Sequence, residues 1–404
     1  MTGPLLELDS VTVRRGMGIV LQDFNLQINR GDCILLSGEN GLGKSTIIEA
    51  AARLIPLEKG RIMHHNTLVC DHEGRRIKPK KPFGLTLQSN GVTPSETVNQ
   101  RLKSVCSISG KAMETKTLLA NYGLVNRSED KIAFLSGGQQ RKVAVLCGLM
   151  PAMLSQEPRL ILLDEPDAGL DENTIQQLIS DINKLRSLGH GFLIASHNKE
   201  MLKCATAIHD LTALKQVDHQ QHDAWEVTST DIETPLFATR TGWRLNFSTL
   251  VSVQRNWLAA LLVLGTLLTI ADPLTIDDRV MLMGFTLAPA FTLGLVGDPV
   301  LRILGEQRAL DWWRAQTNYL PNSIIDSIIS GLILTILSSQ IFLQELDYRI
   351  LIIGSLITIG TMQCVRFLQL STIRLARSNA VFVRLLTPIL ILPWGYIVDY
   401  CAKL

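Results

Sequence analysis

The sequence predicts an α/β domain followed by an all-α, polytopic membrane domain of about five helices. Its 404 residues are enough for two or three domains. Residues 1–246 alternate strand-like and helix-like stretches of mixed composition, whereas residues 247–404 are rich in Leu, Ile, Val, Thr and Gly. Near the N-terminus, a glycine-rich loop lies between an apolar strand and a helical stretch, an order found in α/β folds.

Composition restricts the class of partner and the compartment. The formal net charge of +2 is too small to indicate a nucleic-acid binder, so no nucleic-acid partner is expected. The first ten residues, MTGPLLELDS, lack a basic region followed by an apolar one, which predicts no secretory signal and a cytoplasmic N-terminal half. Seven scattered cysteines without a CxxC pair predict no zinc site.

The glycine-rich loop has the features of a phosphate-binding loop. A predicted strand, Cys33–Ser37, runs directly into GENGLGKST at residues 38–46 and then into a predicted helix, Thr46–Leu54. Backbone N–H groups of such a loop, together with the helix N-terminus, bind phosphate. Lys44 is expected to reach the β- and γ-phosphates of ATP, and Ser45 to ligate Mg²⁺. The predicted nucleotide-binding residues of this loop are Gly38, Asn40, Gly41, Gly43, Lys44, Ser45 and Thr46.

A second motif supplies acidic side chains. The apolar strand predicted at Leu160–Leu163 ends in Asp164 and Glu165, about 120 residues after the phosphate loop. Asp164 is predicted to hold the Mg²⁺ shell, and Glu165 to act on the attacking water as a base or polariser.

A third motif indicates a family. LSGGQQR at residues 135–141 precedes LLDEPDAGLD at 162–171, and His197 follows a strand predicted at Phe192–Ala195. With these motifs, most of residues 5–215 resembles the ABC ATPase nucleotide-binding domain, an α/β P-loop fold. Ser136, Gly137 and Gly138 begin a helix whose exposed N-terminus is an anion site. The resemblance implies that this site caps the γ-phosphate of ATP bound by the opposite subunit of a dimer.

The resemblance also implies roles for single residues. Gln88 matches the Q-loop, which senses Mg²⁺ and water and contacts the membrane domain. His197 matches the switch histidine, which holds the γ-phosphate and Glu165. The predicted catalytic residues are therefore Glu165, His197 and Gln88, and the predicted metal-site residues are Ser45, Gln88 and Asp164. Gln139 and Asp171 join the signature residues as nucleotide-binding residues, Asp171 matching the D-loop. The implied cofactors are ATP and Mg²⁺, and the implied enzyme is an active ATPase.

Adenine binding departs from the family pattern. Most ABC ATPases stack adenine on an aromatic residue between the first two strands, and residues 11–22 contain none. The guanidinium plane of Arg14 or Arg15 could stack in its place. The alternative, that both arginines are solvated, has equal weight.

Five apolar stretches predict membrane spans. They are Trp257–Ala271, Val280–Gly297, Ile324–Leu343, Ile350–Val365 and Val381–Val398. Arginines concentrate in residues 298–323 and 366–380 (Arg302, Arg308, Arg314, Arg366, Arg374 and Arg377), which places these loops inside by the positive-inside rule. We predict a nucleotide-binding domain at 1–217, a linker at 218–246 and a transmembrane domain at 247–404. The location predicted for the chain is the cytoplasmic (inner) membrane, with the ATPase in the cytoplasm.

The longer inner loop, residues 297–323, is amphipathic. Leu301, Leu304, Arg308 and Trp312 recur at helical spacing, which predicts a helix at the membrane surface. The family resemblance implies that such a helix docks beside the Q-loop. The alternative is an interfacial loop whose tryptophans lie among lipid headgroups.

The membrane half also resembles the B-type subunit of the cytochrome c-maturation heme exporter. The resemblance rests on Leu301–Ile328, with Glu306, Arg308 and Asp311 before Leu320 and Pro321, and on Leu385–Trp394. The ATPase half resembles the A-type subunit, so the two would be fused here. This implies heme export, or release of a heme-loaded carrier from a heme-handling membrane protein. The alternatives are an exporter of another small molecule or lipid, and an ABC mechanoenzyme that moves no substrate. The dimer could be a homodimer or a heterodimer with another ABC half.

Overall fold

The structure is a computed structural model that describes residues 3–39, 41–210, 214–217, 222–232, 247–270, 272–317, 322–372 and 387–403. It divides into two compact units. The N-terminal unit comprises Met1–Gly242 together with Leu304–Leu320, and the helical unit comprises Trp243–Ile303 together with Pro321–Leu404. The predicted order, an α/β domain followed by an all-helical region, is confirmed.

Twelve strands are present in the part of the N-terminal unit that the structure describes. They are β1 (Leu6–Arg15), β2 (Gly18–Ile28), β3 (Cys33–Leu36), β4 (Lys59–His64), β5 (Thr67–Asp71), β6 (Gly84–Thr86), β7 (Lys111–Ala112), β8 (Leu160–Asp164), β9 (Gly191–Ala195), β10 (Ala207–His209), β11 (Leu214–Gln216) and β12 (Thr230–Asp231). An antiparallel sheet has the order β2-β1-β4-β5, and a six-stranded sheet has the order β11-β10-β3-β9-β8-β6. Strands β7 and β12 form a separate pair.

The helices of this unit connect and cover the sheets. They are α1 (Lys44–Ala51), α2 (Val98–Ser109), α3 (Lys116–Asn121), α4 (Gly137–Met153) and α5 (Glu172–Ser187). Strands β3, β8 and β9 are buried along their whole length, as their continuous apolar sequences require of parallel strands covered on both faces. The carboxyl ends of these three strands meet at one edge, because Leu36 and Asp164 both align with Ala195. The phosphate loop, Glu165 and His197 follow those three ends.

The helices of the C-terminal part of the chain are longer and more apolar. They are α6 (Phe247–Ile270), α7 (Arg279–Leu295), α8 (Pro299–Leu304), α9 (Ala309–Gln316), α10 (Ile324–Phe342), α11 (Tyr348–Thr372) and α12 (Ile391–Lys403). Among the described residues, four segments are long and apolar enough to cross a membrane: Val253–Ile270, Arg279–Leu304, Ile324–Phe342 and Tyr348–Ser371. Met283, Leu287, Phe291, Ile357 and Val398 contribute to the apolar core of the helical unit.

The predicted spans differ from these helices in two places. The fifth stretch, Val381–Val398, begins in residues outside the described part of the chain, as do Arg374, Arg377 and the step at Leu320 and Pro321. The fourth predicted span, Ile350–Val365, lies within α11, which continues to Thr372 into the predicted inner loop at 366–380. In this extension, the Arg366 guanidinium forms a buried ion pair with the Asp298 carboxylate. The Ser323 hydroxyl also donates to Asp298 Oδ1 at 2.8 Å.

The single inner-loop helix predicted from the spacing of Leu301 to Trp312 is wrong. Gln307 and Arg308 have φ values of 44° and 59°, which interrupt the helix. Two short helices, α8 and α9, result. We call residues 304–317, which belong to the N-terminal unit, the inner-loop segment.

Candidate functional site

A cavity of about 610 Å³ lies at the carboxyl edge of the buried strands. It is lined by Arg15, Val20, Gly41, Gly43, Lys44, Ser45, Thr46, Gln88, Glu165 and His197. Eight of these ten residues were predicted as site residues from four separate stretches of sequence, and the fold brings them to one site. The volume is within the range of small-ligand pockets.

The lysine of the phosphate loop forms hydrogen bonds with the backbone of the same loop. Lys44 Nζ donates to the carbonyl oxygens of Gly38 at 2.7 Å and Glu39 at 2.8 Å. Burial lowers the pKa of Lys44, and the nearby carboxylates Glu165 and Asp164 counteract that shift. Gly43 precedes α1 with φ 105°, a conformation that favours glycine. Gly43 and the first three residues of α1 line the cavity, and the N-terminus of a helix favours phosphate. Asn40, also predicted for this site, lies outside the described residues.

The serine after the lysine meets the first carboxylate of the second motif. Ser45 Oγ donates to Asp164 Oδ1 at 3.0 Å. Asp164 is almost fully buried, and burial raises its pKa to about 6, an effect that the Ser45 hydrogen bond partly offsets. A hydroxyl and a carboxylate at this separation are hard oxygen donors suited to Mg²⁺, which usually takes one or two protein ligands and completes its shell with water and phosphate. These two residues therefore fit the predicted ion.

The remaining polar side chains of the cavity come from three loops. Glu165 has φ 50°, and its N–H donates to Ala195 O at 2.8 Å, which ties the end of β8 to the end of β9. His197 follows β9 and is exposed on the cavity wall, as is Gln88. A carboxylate, an imidazole and an amide around one phosphate-sized space can orient a water and hold an oxyanion.

The signature residues lie elsewhere on the unit. Ser136 caps α4: its Oγ accepts from Gln139 N at 3.3 Å, while Gln139 Oε1 accepts from Ser136 N at 3.0 Å. Gly138 is packed so closely that a Cβ there would lie 2.8 Å from Gly169 O. Ser136 and Gly137 are exposed. Within the described residues, the cavity lining includes neither these residues nor Gly138 and Gln139.

Asp171, the predicted D-loop residue, caps the next helix. Its Oδ1 accepts from Thr174 N at 2.9 Å, and its Oδ2 pairs with Lys142 Nζ at 2.8 Å. The hydrogen bond from Lys142 and those from Thr174 hold the pKa of Asp171 well below its usual range. In the described part of the chain, it lies outside the cavity lining.

The two candidate adenine-stacking arginines differ in placement. Arg14 Nε donates to Glu58 Oε1 at 2.5 Å, and its Nη1 donates to Met17 O at 2.9 Å, at the exposed C-terminal end of β1. Arg15 lines the cavity, and its guanidinium is paired with the buried Glu49. Of the two, only Arg15 is among the cavity residues that the structure describes.

The role of Arg141, the last residue of LSGGQQR, was not predicted from the sequence. Its buried guanidinium donates to Leu87 O at 2.7 Å and Asn90 Oδ1 at 2.9 Å in the loop of Gln88. It also donates to Asp164 O and to Glu165 O, the latter at 2.5 Å. One side chain therefore joins the two loops that carry Gln88 and Glu165. Its position inside a recognisable motif was an available signal.

The inner-loop segment packs beside the loop of Gln88. Gly91 N donates to Gln307 O at 3.0 Å, and Gln307 Nε2 donates to Gln140 Oε1 at 2.8 Å. Trp312 is buried, with the Arg101 guanidinium carbon 3.8 Å from the centre of its ring. This burial rules out an interfacial loop whose Trp312 lies among lipid headgroups.

The farther end of the segment is bound through its backbone. Arg53 Nη2 donates to Arg314 O at 3.0 Å and to Thr317 O at 3.3 Å. Gln316 Nε2 donates to Phe83 O at 2.9 Å. Both ends of the segment are therefore held by the N-terminal unit.

The part of the chain that matches a known family lies within the N-terminal unit. A family model described as ABC transporter matches residues 21–168. A glutamine transport ATP-binding protein of Geobacillus stearothermophilus is 30% identical over 184 residues, which are 44% of this chain and 74% of that protein. The chain belongs to the ABC transporter family. Its N-terminal unit is an ABC ATPase domain, the domain that hydrolyses ATP in this family.

Other ABC relatives differ in length and in named substrate. A macrolide export ATP-binding/permease protein of Burkholderia lata is 29% identical over 223 residues, covering 52% of this chain and 32% of that protein. The chain thus matches about a third of the length of that relative. Among solved structures, an ATP binding subunit of an ABC transporter aligns over 60% of this chain and 95% of that chain, with 22% identity and a TM-score of 0.42.

Proposed function

We propose that the chain is an ATP-driven half-transporter of the ABC family, in which ATP-dependent dimerisation acts on a membrane-embedded partner half. The observation that carries this proposal is that Lys44, Ser45, Gln88, Glu165 and His197 line the same cavity. The four apolar segments of membrane-spanning length support the membrane assignment, with the ATPase in the cytoplasm.

Each cavity residue has a role that its position supports. Lys44, already turned toward the loop carbonyls, exchanges those partners for the β- and γ-phosphates of ATP. Ser45 and Asp164 would hold Mg²⁺, which when bound neutralises charge on the phosphate oxygens. Glu165 orients and polarises the attacking water, His197 holds the γ-phosphate, and Gln88 contacts the water from the opposite loop.

The dimer is proposed from the placement of the signature residues. Ser136 and Gly137 are exposed at the N-terminus of α4, an anion site. They are outside the cavity of their own chain, as far as the described lining extends. A second subunit facing the cavity would supply Ser136, Gly137, Gly138 and Gln139 to the γ-phosphate, with Asp171 at the interface. The partner subunit is a second copy or another ABC half.

A signature variant tests this arrangement. In the full chain, purified in mild detergent, Ser136→Arg should retain ATP binding at the phosphate loop but lose ATP-dependent dimerisation. Lys44→Ala should lose ATP binding. Loss of ATP binding in Ser136→Arg with the dimer unaffected would contradict assembly of the site between two subunits.

For the substrate, we propose heme export or heme-chaperone release in cytochrome c maturation. The support is the resemblance of Leu301–Ile328 and Leu385–Trp394 to the heme-exporter subunit. Residues 223–404 contain no histidine, so imidazole ligation of heme there is excluded and release of a heme-loaded carrier is the form we favour. Co-purification with a heme-handling membrane protein, followed by heme absorbance, tests this. ATPase stimulation by lipids or drugs, without any response to heme-system partners, would contradict it.

A further inference from the structure

Glu49 is a buried carboxylate that the proposed nucleotide chemistry does not use. It lies on α1, five residues after Lys44, and its side chain is 6% exposed. Its two oxygens each take one arginine. Oε1 accepts from Arg308 Nη1 at 2.5 Å, and Oε2 is paired with Arg15 Nη2. One carboxylate is thus shared between a residue of the nucleotide cavity and a residue of the inner-loop segment.

The two arginines have different alternatives to Glu49. Arg15 lines the cavity and is 47% exposed, so its guanidinium can turn to a ligand there. Arg308 has a second carboxylate, Asp311 Oδ2, at 2.8 Å from its Nε. Burial acts to lower the pKa of Arg308, but Glu49 and Asp311 outweigh it and the pKa is raised. Arg308 therefore remains a cation that shares the Glu49 carboxylate with Arg15.

The backbone conformation at Arg308 depends on the ion pair between Arg308 and Glu49. Gln307 and Arg308 both adopt left-handed φ values, which are unfavourable for residues with a Cβ. Such a turn persists only where surrounding contacts hold it. These contacts include the Gly91 N–H on Gln307 O, the Gln307 side chain on Gln140, and the Glu49 and Asp311 carboxylates on Arg308. The strength of the Glu49–Arg308 pair therefore affects how firmly the inner-loop segment is held.

We propose that Glu49 is a positioning residue that links nucleotide occupancy to the inner-loop segment by dividing its carboxylate between Arg15 and Arg308. An ATP in the cavity brings negative phosphates and an aromatic base, both of which attract a guanidinium. When Arg15 turns to ATP, Glu49 pairs with Arg308 alone and holds the strained turn more tightly. The inference rests on the proposed function and adds a second route from the cavity to the segment, separate from the loop of Gln88.

Hydrogen exchange on the full chain in mild detergent tests the link. The parent is Glu165→Gln, which prevents turnover, and ATP is added at a concentration that a separate binding measurement shows to be saturating. We expect ATP to slow exchange of the amides at 307–310 by at least about fivefold in the parent. Adding Glu49→Gln should abolish most of this protection while ATP still binds. Arg15→Gln should weaken ATP binding, because Arg15 lines the cavity, and should also abolish most of the protection at an ATP concentration shown to saturate that variant.

Arg14→Gln is the matched control. Arg14 is adjacent in sequence, but its guanidinium is paired with Glu58 at the exposed end of β1, so ATP-dependent protection should persist. If Glu49→Gln does not fold, Arg15→Gln still tests the link. Its side chain is half-exposed, so this substitution should not disturb folding. Full protection in Glu49→Gln and Arg15→Gln with ATP bound would overturn the inference alone, as would its loss in Arg14→Gln. A parent that binds no ATP would overturn the proposed function as well.

Discussion

The hydroxyl of Ser45 donates a 3.0 Å hydrogen bond to Asp164, 119 positions later in the chain. Ser45 is the second residue of α1, and Asp164 is the last residue of β8. The contact joins the phosphate loop to the acidic motif across the parallel sheet. Because Asp164 is buried, its pKa is raised to about 6, and its ionisation is sensitive to pH near neutrality.

The raised pKa of Asp164 predicts a pH-dependent stability. The folded, nucleotide-free protein takes up a proton on Asp164 as pH falls through about 6, whereas the unfolded chain does so near 4. This stabilisation is fully present below the unfolded pKa and is lost as pH rises through the folded pKa. Between pH 7.5 and pH 5, wild type should gain about 1.4 kcal/mol relative to Asp164→Asn. Thermal unfolding at both pH values measures this difference.

Asp181→Asn serves as the control for the Asp164 experiment. Burial likewise raises the pKa of Asp181 to about 6, but its carboxylate bonds to Tyr122 Oη at 2.9 Å and lies outside the described cavity lining. Asp181→Asn should also lose a pH-dependent increment, yet retain stabilisation by added Mg²⁺ and ATP. Asp164→Asn should lose that stabilisation. An equal effect of Mg²⁺ and ATP on both variants would exclude Asp164 from the metal site.

Glu165→Gln should stop turnover without preventing ATP binding. The amide keeps the size of the side chain but is a far weaker acceptor for a water proton, so kcat should fall by about 10²–10⁴-fold. ATP-bound dimers should accumulate, which size-exclusion chromatography with ATP detects. Glu157→Gln, an exposed carboxylate paired with Lys81, is the control and should hydrolyse ATP as wild type does. Undiminished phosphate release from Glu165→Gln would show that the catalytic assignment is wrong.

Arg141→Ala should impair both folding stability and catalysis. Removing the guanidinium takes one donor from each of the carbonyl oxygens of Leu87, Asp164 and Glu165, of which Leu87 and Glu165 keep a backbone donor, at a cost of about 1–3 kcal/mol. The loops that carry Gln88 and Glu165 should also shift relative to each other. Catalysis depends on their alignment, so kcat should fall by a larger factor than the affinity for ATP.

Denaturant unfolding and ATPase kinetics measure the two effects of Arg141→Ala. Arg127→Ala removes an exposed arginine whose partner, Asp130, is on the surface, and should cost less than about 1 kcal/mol. Similar losses in the two variants would mean that Arg141 does not join the loops as described.

Trp312→Ala should release the inner-loop segment. The ring is buried against Arg101, and truncating a buried tryptophan costs about 3–5 kcal/mol. Hydrogen exchange over 309–316 should therefore accelerate, whereas Trp312→Phe should keep most of the protection. Trp225→Ala, a half-buried tryptophan elsewhere in the N-terminal unit, should leave the segment unchanged. Unchanged exchange in Trp312→Ala would contradict the packing of this segment.

Much of the candidate site could be predicted from the sequence because its residues follow strand ends. The phosphate loop follows β3, Glu165 follows β8, and His197 follows β9. Parallel neighbouring strands bring their carboxyl ends to one edge, so local patterns were enough to place these residues together. The inner-loop helix failed as a prediction because helical spacing does not reveal a left-handed turn. At Gln307 and Arg308, that turn is held by contacts from residues more than 160 positions away.

The sequence by itself determined the order of the two parts of the chain, the loop around Lys44, the acidic pair and the apolar segments, because each is encoded in a short run of residues. Only the tertiary structure decided that Arg141 joins two loops, that Trp312 packs on Arg101, and that Glu49 is shared by Arg15 and Arg308. Glu49 and Arg308 are 259 positions apart, and neither lies in a local pattern that specifies the other. Their pairing depends on how the chain returns to the N-terminal unit, where burial selects opposite charges as partners.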